Sequence, residues 1–301
     1  MNLTHNLLHS MFHIMLRLTG IKLRFKNLST VLMYIKNENK KPLPEFESLP
    51  SLKLKSRILK TMVNDMPVYI INDNTNHDTI IIYFHGGAFI NQPLTQHFNL
   101  VDMIAQLTNT TIVFPCYPRL PHSNEDYCLS QLESYVEQLI MEKPNHKIIL
   151  MGDSAGGWLA LSIATFLRNQ LKKTPKHLIL FSPWCDLSMR HVDERLEKKD
   201  PILSHEGLKQ IGIMWMKDSL ESRKHGFRMD NSLKELGDIH VYVGSHEIFL
   251  KQTQALKDKA QSEEVIFNLK EVKMMIHDFI LFPFKESKEV LNEVVEIINH
   301  Q

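Results

Sequence analysis

The sequence predicts an α/β protein built on one mostly parallel sheet with helices on both faces. From residue 66 onward, short apolar, β-branched runs alternate with amphipathic segments of helix length. The chain has 301 residues, of which 43% are apolar, and no run of 18 apolar residues occurs. This composition excludes wholesale disorder and predicts no transmembrane helix. The 35 basic and 34 acidic residues nearly cancel, which argues against a nucleic-acid-binding protein.

Each predicted element follows from its own pattern. Short runs rich in Val, Ile, Leu and Phe predict strands at 68–71, 80–84, 111–114, 148–151, 178–181, 239–243 and 265–269. Periodic segments between them predict helices at 96–107, 126–142, 155–170, 251–261 and 286–299. Regular alternation of this kind is typical of a parallel sheet that is covered on both sides.

Two regions depart from the alternation and are interpreted as a helical cap. Residues 1–50 form an N-terminal cap segment, and residues 51–301 form the main domain with a cap insertion at about 187–235. The insertion is charged and predicts one helix near 206–216. Residues 1–65 carry 11 Lys/Arg against four Asp/Glu, so the cap segment lies in a basic part of the chain.

The first 18 residues predict an amphipathic helix with two distinct arcs. The apolar arc holds Leu3, Leu7, Met11, Ile14, Met15 and Leu18, and the opposite arc holds His5, His9 and His13. We favour a helix packed over the active site, although a basic amphipathic helix also suits peripheral membrane contact. The histidine spacing would suit a metal, but no carboxylate joins the three, so we favour a solvated polar face and expect no metal site.

Residues 148–157 predict a strand that runs into a Gly-x-Ser-x-Gly turn, with a helix beginning at once behind it. This is the context that a nucleophile elbow requires, since the sharp turn presents the serine hydroxyl above the sheet edge. Ser154 is therefore the predicted nucleophile.

A second motif, His85-Gly86-Gly87-Ala88, follows the apolar strand at 80–84. Acyl transfer requires preorganised N–H donors for an oxyanion, and glycines let a backbone turn those groups inward. We expect Ala155, the residue after the nucleophile, to supply another N–H. His85, with Gly86, is expected to support the loop rather than act as the base.

A serine nucleophile needs a base and an orienting carboxylate, and in this fold class the order is Ser, acid, His. His277 follows the last predicted strand after a short loop, and Glu247 follows the strand at 239–243. Asp278 and Asp186 are weaker candidates for the acid. Because Asp278 adjoins His277 in sequence, its side chain is expected to point elsewhere.

These motifs resemble the hormone-sensitive-lipase-like family of α/β-hydrolase esterases. The resemblance covers roughly residues 66–300 and rests on five segments in the family's order. They are His85–Ala88, Tyr117–His122, Gly152–Gly157, Ser182–Leu187 and His277–Phe279. It implies an α/β-hydrolase core with a helical cap, Ser154 as nucleophile and an oxyanion bound by the N–H groups of Gly87, Ala88 and Ala155.

The chain departs from the family pattern at three positions. Ala88 stands where the family usually has a third glycine, Glu247 where it most often has Asp, and Trp158 where Asn is common. The methyl of Ala88 is expected to narrow the approach to the oxyanion loop. Trp158 either packs in the core, which we favour, or lines the acyl pocket. Large cap residues are expected to wall that pocket, namely Met11, Phe12, Met214 and Trp215.

Together these features predict a serine carboxylesterase that hydrolyses short- to medium-chain esters through an acyl-enzyme. The partner is a small-molecule ester, and no organic cofactor is expected. The alternatives are a lipase at a membrane surface, a non-catalytic binder on the same fold and an amide hydrolase. Three scattered cysteines and no signal-peptide pattern lead us to expect a cytoplasmic location.

Overall fold

The computed structural model describes residues 3–41, 54–74, 77–216 and 226–300, and it describes side chains from residue 9 onward. In these residues the strands are β1 (Ile58–Val63), β2 (Met66–Ile71), β3 (Thr79–Phe84), β4 (Thr111–Pro115), β5 (Lys147–Asp153), β6 (His177–Phe181), β7 (Asp238–Gly244) and β8 (Phe267–Val272). They form one sheet in the order β1-β2-β4-β3-β5-β6-β7-β8. The pairs β1–β2 and β2–β4 are antiparallel, and all other pairs are parallel. The predicted mostly parallel sheet is confirmed.

Helices cover both faces of this sheet. In the described residues the helices are α1 (Leu3–Leu18), α2 (Leu28–Glu38), α3 (Thr95–Thr108), α4 (Glu125–Glu142), α5 (Ala155–Phe166), α6 (Glu194–Lys199), α7 (His205–Trp215), α8 (Leu250–Ser262) and α9 (Lys285–Asn299). Helices α3 and α9 pack on one face, and α4, α5 and α8 pack on the other. The fold is therefore an α/β-hydrolase sheet between two helical layers.

The central strands are buried on both faces, as parallel strands between helices must be. All six residues of β3 are buried, and their side chains alternate between two apolar clusters. Ile82 belongs to one cluster and Ile81 to the other. A fully buried side chain of this size contributes about 1.5–3 kcal/mol. This core holds the carboxyl ends of β3, β5 and β7 in fixed positions at one sheet edge.

Two strands differ from the sequence prediction for local reasons, and the insertion holds two helices, α6 and α7, rather than one. The last strand begins at Phe267 rather than 265, because the N–H of Val265 still donates to Ala260 O at the end of α8. The edge strand β1 was not predicted, since its residues are mostly half-buried or exposed and carry no clear apolar alternation.

The two segments that were predicted to form a cap contact each other. Helix α2 packs against α7, and a 3-10 turn at Ile21–Phe25 lies against the start of α7. Gly207 permits that approach, since a Cβ there would overlap the backbone of Phe25. The parts of the expected cap at 42–50 and 217–225 lie outside the described residues, as does most of the linker expected at 40–44. In the part of the chain that the structure describes, no helix is long and apolar enough to span a membrane.

Helix α1 contradicts the expected orientation. Met11, Ile14, Met15 and Leu18, which we call the apolar stripe, are all exposed to solvent. His9 and His13 instead face the protein, where His9 Nε2 lies 3.3 Å from Glu286 Oε1 and the ring of His13 meets that of His246. The expectation of a solvated histidine face was wrong. The side chains of Leu3, His5 and Leu7 lie outside the described set.

Candidate active site

Ser154 stands at the turn between β5 and α5. Its backbone angles are φ 51° and ψ −119°, a strained conformation for a residue with a side chain. The turn packs closely because the residues two positions before and after Ser154 are glycines, which have no Cβ to collide with neighbouring backbone. A Cβ on Gly152 would overlap Gly156, and one on Gly156 would overlap the carbonyl of Phe84. The strain is held by this packing and aims the hydroxyl of Ser154 into a pocket.

The structure brings Ser154, His277 and Glu247 together from three loops. His277 Nε2 lies 3.0 Å from Ser154 Oγ. On the other side of the imidazole, Nδ1 lies 3.7 Å from Glu247 Oε1. That separation is longer than a hydrogen bond, which in a structure without substrate does not exclude a catalytic contact.

Glu247 is held by its second carboxylate oxygen. Oε2 accepts hydrogen bonds from Ser182 Oγ at 2.7 Å and from the N–H of Gly244 at 2.8 Å. The next residue, Ile248, donates its N–H to the buried carboxylate of Asp200 at 3.0 Å. Sequence reasoning assigned no role to Ser182 or Asp200. Ser182 lies in one of the five family-like segments, so a signal for it was present.

Asp278 does not point away from the site. Its φ of 53° turns the side chain back, so that Oδ2 lies 3.1 Å from His277 Nε2, the nitrogen that also faces Ser154. The N–H of Asp278 donates to Ser182 Oγ at 3.2 Å. The other rival, Asp186, caps its own turn and lies 3.0 Å from His191 Nδ1. Asp186 therefore has no contact with the predicted triad.

Two carboxylates thus flank His277. Burial by itself lowers the pKa of His277, but the negative charges of Asp278 and Glu247 outweigh it and raise that pKa well above its ordinary value. Burial raises the pKa of Asp278 to about 6, against the opposing effect of His277. The two carboxylates therefore stabilise the protonated form of His277.

The oxyanion loop follows β3. Gly87 has φ 115° and Ala88 has φ 54°, so Ala88 adopts a backbone conformation that glycine adopts more readily. Within the described residues the N–H groups of Gly87 and Ala88 donate to no protein acceptor, and both residues line the pocket. Ala155 is the first residue of α5 and directly follows Ser154, so its N–H lies at the N-terminus of the helix. This arrangement is able to bind a developing oxyanion.

His85 packs beneath this loop. Its ring stacks on Tyr117 at 4.3 Å between centroids, and its Nδ1 lies 2.6 Å from Gly86 O. Tyr117 donates its hydroxyl to the carbonyl of His85 at 2.8 Å. Burial lowers the pKa of His85 to about 3, so the ring is neutral at physiological pH. These contacts suit a support of the loop rather than a base.

A buried carboxylate that sequence reasoning did not single out ties the loop to the nucleophile turn. Asp153 accepts hydrogen bonds from Gly86 N–H at 3.0 Å, Tyr83 Oη at 2.7 Å and His97 Nε2 at 3.1 Å. Burial raises the pKa of Asp153, but His97 and Tyr83 outweigh that effect and hold it below the ordinary range. Because Asp153 immediately precedes Ser154, one carboxylate positions both halves of the site.

The pocket above Ser154 is small and mostly apolar, with a volume of about 150 Å³. The two predicted cap segments supply Ile21, Phe25, Tyr34, Leu203 and Leu208, and Phe282 follows the loop that carries His277. The residues expected as walls, Met11, Phe12, Met214 and Trp215, do not line it. The reason is that α1 presents Met11 to solvent and that Trp215 stacks on Phe89 in the core at 4.2 Å.

Trp158 lies in the core and not in the pocket. It is fully buried, and its Nε1 donates to the carbonyl of Phe227 at 3.0 Å. Among the described side chains, no group of three or more His, Cys, Asp or Glu stands close enough to hold a metal ion.

Comparison with known proteins identifies the fold and its relatives. A family model described as "alpha/beta hydrolase fold" matches residues 81–281. An esterase of Acinetobacter venetianus is 30% identical over 224 residues, which cover 72% of this chain and 73% of that protein. A triacylglycerol lipase of Mycobacterium tuberculosis is 26% identical over 202 residues, which cover 67% of this chain but only 42% of the lipase.

Solved structures share the whole architecture. A Staphylococcus aureus protein assigned as an esterase has a TM-score of 0.80 at 24% identity, with 92% of this chain and 94% of that chain covered. An esterase from the bacterial hormone-sensitive lipase family has a TM-score of 0.73 at 21% identity, with 91% and 97% covered. At these sequence identities the similarity shows that the fold is shared.

Proposed function

This chain belongs to the alpha/beta hydrolase family and is a carboxylic ester hydrolase, and we propose that it acts as a serine esterase on short- to medium-chain esters. Its motifs resemble those of hormone-sensitive-lipase-like esterases. The observation that carries the proposal is the chain of contacts from Glu247 through His277 to Ser154, beside a loop with unengaged N–H groups.

The proposed reaction begins when Ser154 Oγ attacks the ester carbonyl carbon. His277 Nε2 takes the hydroxyl proton, and Glu247 stabilises the imidazolium from the Nδ1 side. The N–H groups of Gly87, Ala88 and Ala155 bind the oxyanion of the tetrahedral intermediate. Collapse breaks the bond to the alcohol oxygen, which leaves with the proton from Nε2. Water then repeats the sequence on the acyl-enzyme and releases the acid.

The size of the pocket supports the substrate class. Its 150 Å³ equals that of an engineered apolar cavity that binds benzene, so it suits an acyl chain of roughly six carbons or fewer. The lining by Phe25, Leu203 and Leu208 is apolar, which favours a hydrocarbon acyl chain over a charged one.

The test is labelling with a fluorophosphonate probe, which reacts with an activated serine. We expect the wild-type enzyme to be labelled at Ser154 and Ser154→Ala to lose labelling, with kcat reduced by several orders of magnitude. A matched control is Ser162→Ala, since Ser162 is a buried serine on α5 that does not line the pocket. Labelling that survives in folded Ser154→Ala protein would refute the mechanism.

A further inference from the structure

The apolar stripe of α1 faces solvent because contacts with the protein hold the opposite side of the helix. Its four residues are 58%, 57%, 50% and 82% exposed and recur at spacings of three and four, so they share one side of the helix. The opposite side is anchored, because the ring of Phe12 packs edge-on against both Phe282 and Phe284. Near the end of the helix Arg17 donates to the carbonyl of Lys198 at 2.5 Å.

Exposed apolar side chains are concentrated in this part of the chain. Of the sixteen large apolar side chains that are exposed in the described residues, eight lie between Met11 and Met33. The four beyond the stripe are Leu23, Leu28, Leu32 and Met33. Single exposed apolar residues are normal on a soluble surface, whereas a concentration of them marks an interaction site.

The charge of the same segment indicates the chemistry of the partner. Residues 1–41 contain seven Lys/Arg and one acidic residue, Glu38, while the rest of the chain is net acidic. Arg24 and Lys26 follow the apolar stripe and are exposed to solvent. Arg17 and Lys22 instead donate to backbone carbonyls at 197–200. An apolar helical stripe next to a cluster of cations is complementary to a lipid surface with anionic headgroups.

We propose that α1 is an interfacial helix that docks this enzyme on an anionic lipid bilayer. The apolar stripe enters the boundary between headgroups and acyl chains, and the exposed Arg24 and Lys26 after it contact the headgroups. Phe282 is in contact with Phe12 on the inner side of α1 and also lines the active-site pocket. In the docked enzyme α1 therefore lies between the lipid surface and the active-site pocket. This inference does not depend on the identity of the catalytic acid or the acyl chain.

The experiment is flotation of the full-length protein with phosphatidylcholine vesicles that contain or lack phosphatidylglycerol. The stripe variant is Ile14→Gln/Met15→Gln/Leu18→Gln, and the matched control is Met103→Gln/Leu107→Gln/Met141→Gln, at exposed positions on α3 and α4. We expect wild type and control to float with the anionic vesicles. The stripe variant should bind about 1,000-fold more weakly, because burial of each of its three side chains is worth about tenfold. Added salt should weaken wild-type binding.

Activity on a dissolved nitrophenyl ester separates this proposal from the proposed function, since all three proteins should hydrolyse it equally. Wild-type protein that stays with neither vesicle, or a stripe variant that binds anionic vesicles as wild type does, would overturn the proposal. Light scattering supplies a third outcome. A wild-type dimer that the stripe variant converts to monomer, without vesicle binding, would assign the stripe to contact between copies of this chain.

Discussion

Replacement of Glu247 by Gln tests the assignment of the acid, because the surroundings of this side chain dictate how an amide would be oriented. Oε2 accepts from the N–H of Gly244 and from the hydroxyl of Ser182. The Gly244 group is only a donor, and Ser182 Oγ already accepts from the N–H of Asp278. The carbonyl oxygen of a glutamine must therefore take the position of Oε2, which turns its NH₂ group towards His277.

The consequence is the wrong tautomer of the histidine. An NH₂ group facing Nδ1 favours an imidazole that carries its proton on Nε2, and that nitrogen then cannot accept the proton of Ser154. A triad locked in the wrong tautomer loses about 10⁴-fold in kcat, or ~5.5 kcal/mol. In the resting site Nδ1 lies 3.7 Å from Oε1. At that distance the repulsion between the NH₂ group and a proton on Nδ1 is weak, so the tautomer is not fully locked. We therefore expect a loss in kcat of about 10²- to 10⁴-fold.

The assay is steady-state hydrolysis of nitrophenyl butyrate, with circular dichroism to show that the variant is folded. Glu271→Gln is the matched control, since it removes one exposed carboxylate on β8, the strand next to Glu247's own loop, and it should retain wild-type kcat. A Glu247→Gln enzyme within tenfold of wild type would refute the reasoning. If Asp278→Asn were inactive at the same time, Asp278 would be the acid.

Three further predictions concern the surroundings of the triad. Asp278→Asn removes a negative charge 3.1 Å from His277 Nε2, which is worth ~1.3 kcal/mol even at the dielectric constant of water. The pKa of His277 should therefore fall. Because the neutral imidazole is the base, the acidic limb of the plot of kcat/KM against pH should shift to lower pH by about one unit or more. A shift to higher pH would contradict this. Asp153→Ala leaves the donors of Gly86, Tyr83 and His97 without an acceptor, so the free energy of unfolding should fall by about 3 kcal/mol or more in chemical denaturation, and kcat should also fall. Asp153→Asn keeps an acceptor for Gly86 and should lose less stability. Equal losses in the two variants would count against the network. Across nitrophenyl esters of rising acyl length, kcat/KM should peak at roughly six carbons or fewer and then fall steeply, and a rate that still rises at twelve carbons would show that the pocket is open at its far end.

The sequence by itself determined the parallel part of the sheet and predicted the nucleophile, because both depend on neighbours along the chain. The run at 148–151 is apolar on both faces, so it reads as a strand buried between helices, and the turn after it is specified by two glycines and a serine within five residues. The order of the loops then predicted His277 and Glu247 as partners of Ser154. That these three residues act as a triad stays a prediction until the variants above are measured.

Only the tertiary structure decided which surfaces meet. Helical periodicity divides α1 into two arcs but does not say which arc contacts the protein. The aromatic contacts of Phe12 decided that, against the usual preference for burying the apolar side. Likewise, adjacency in sequence places the side chain of Asp278 away from His277 in an extended or helical backbone, and the left-handed turn at residue 278 reverses it. His97 reaches Asp153 across 56 residues. Such contacts depend on backbone angles and packing between distant segments, which a local pattern does not encode.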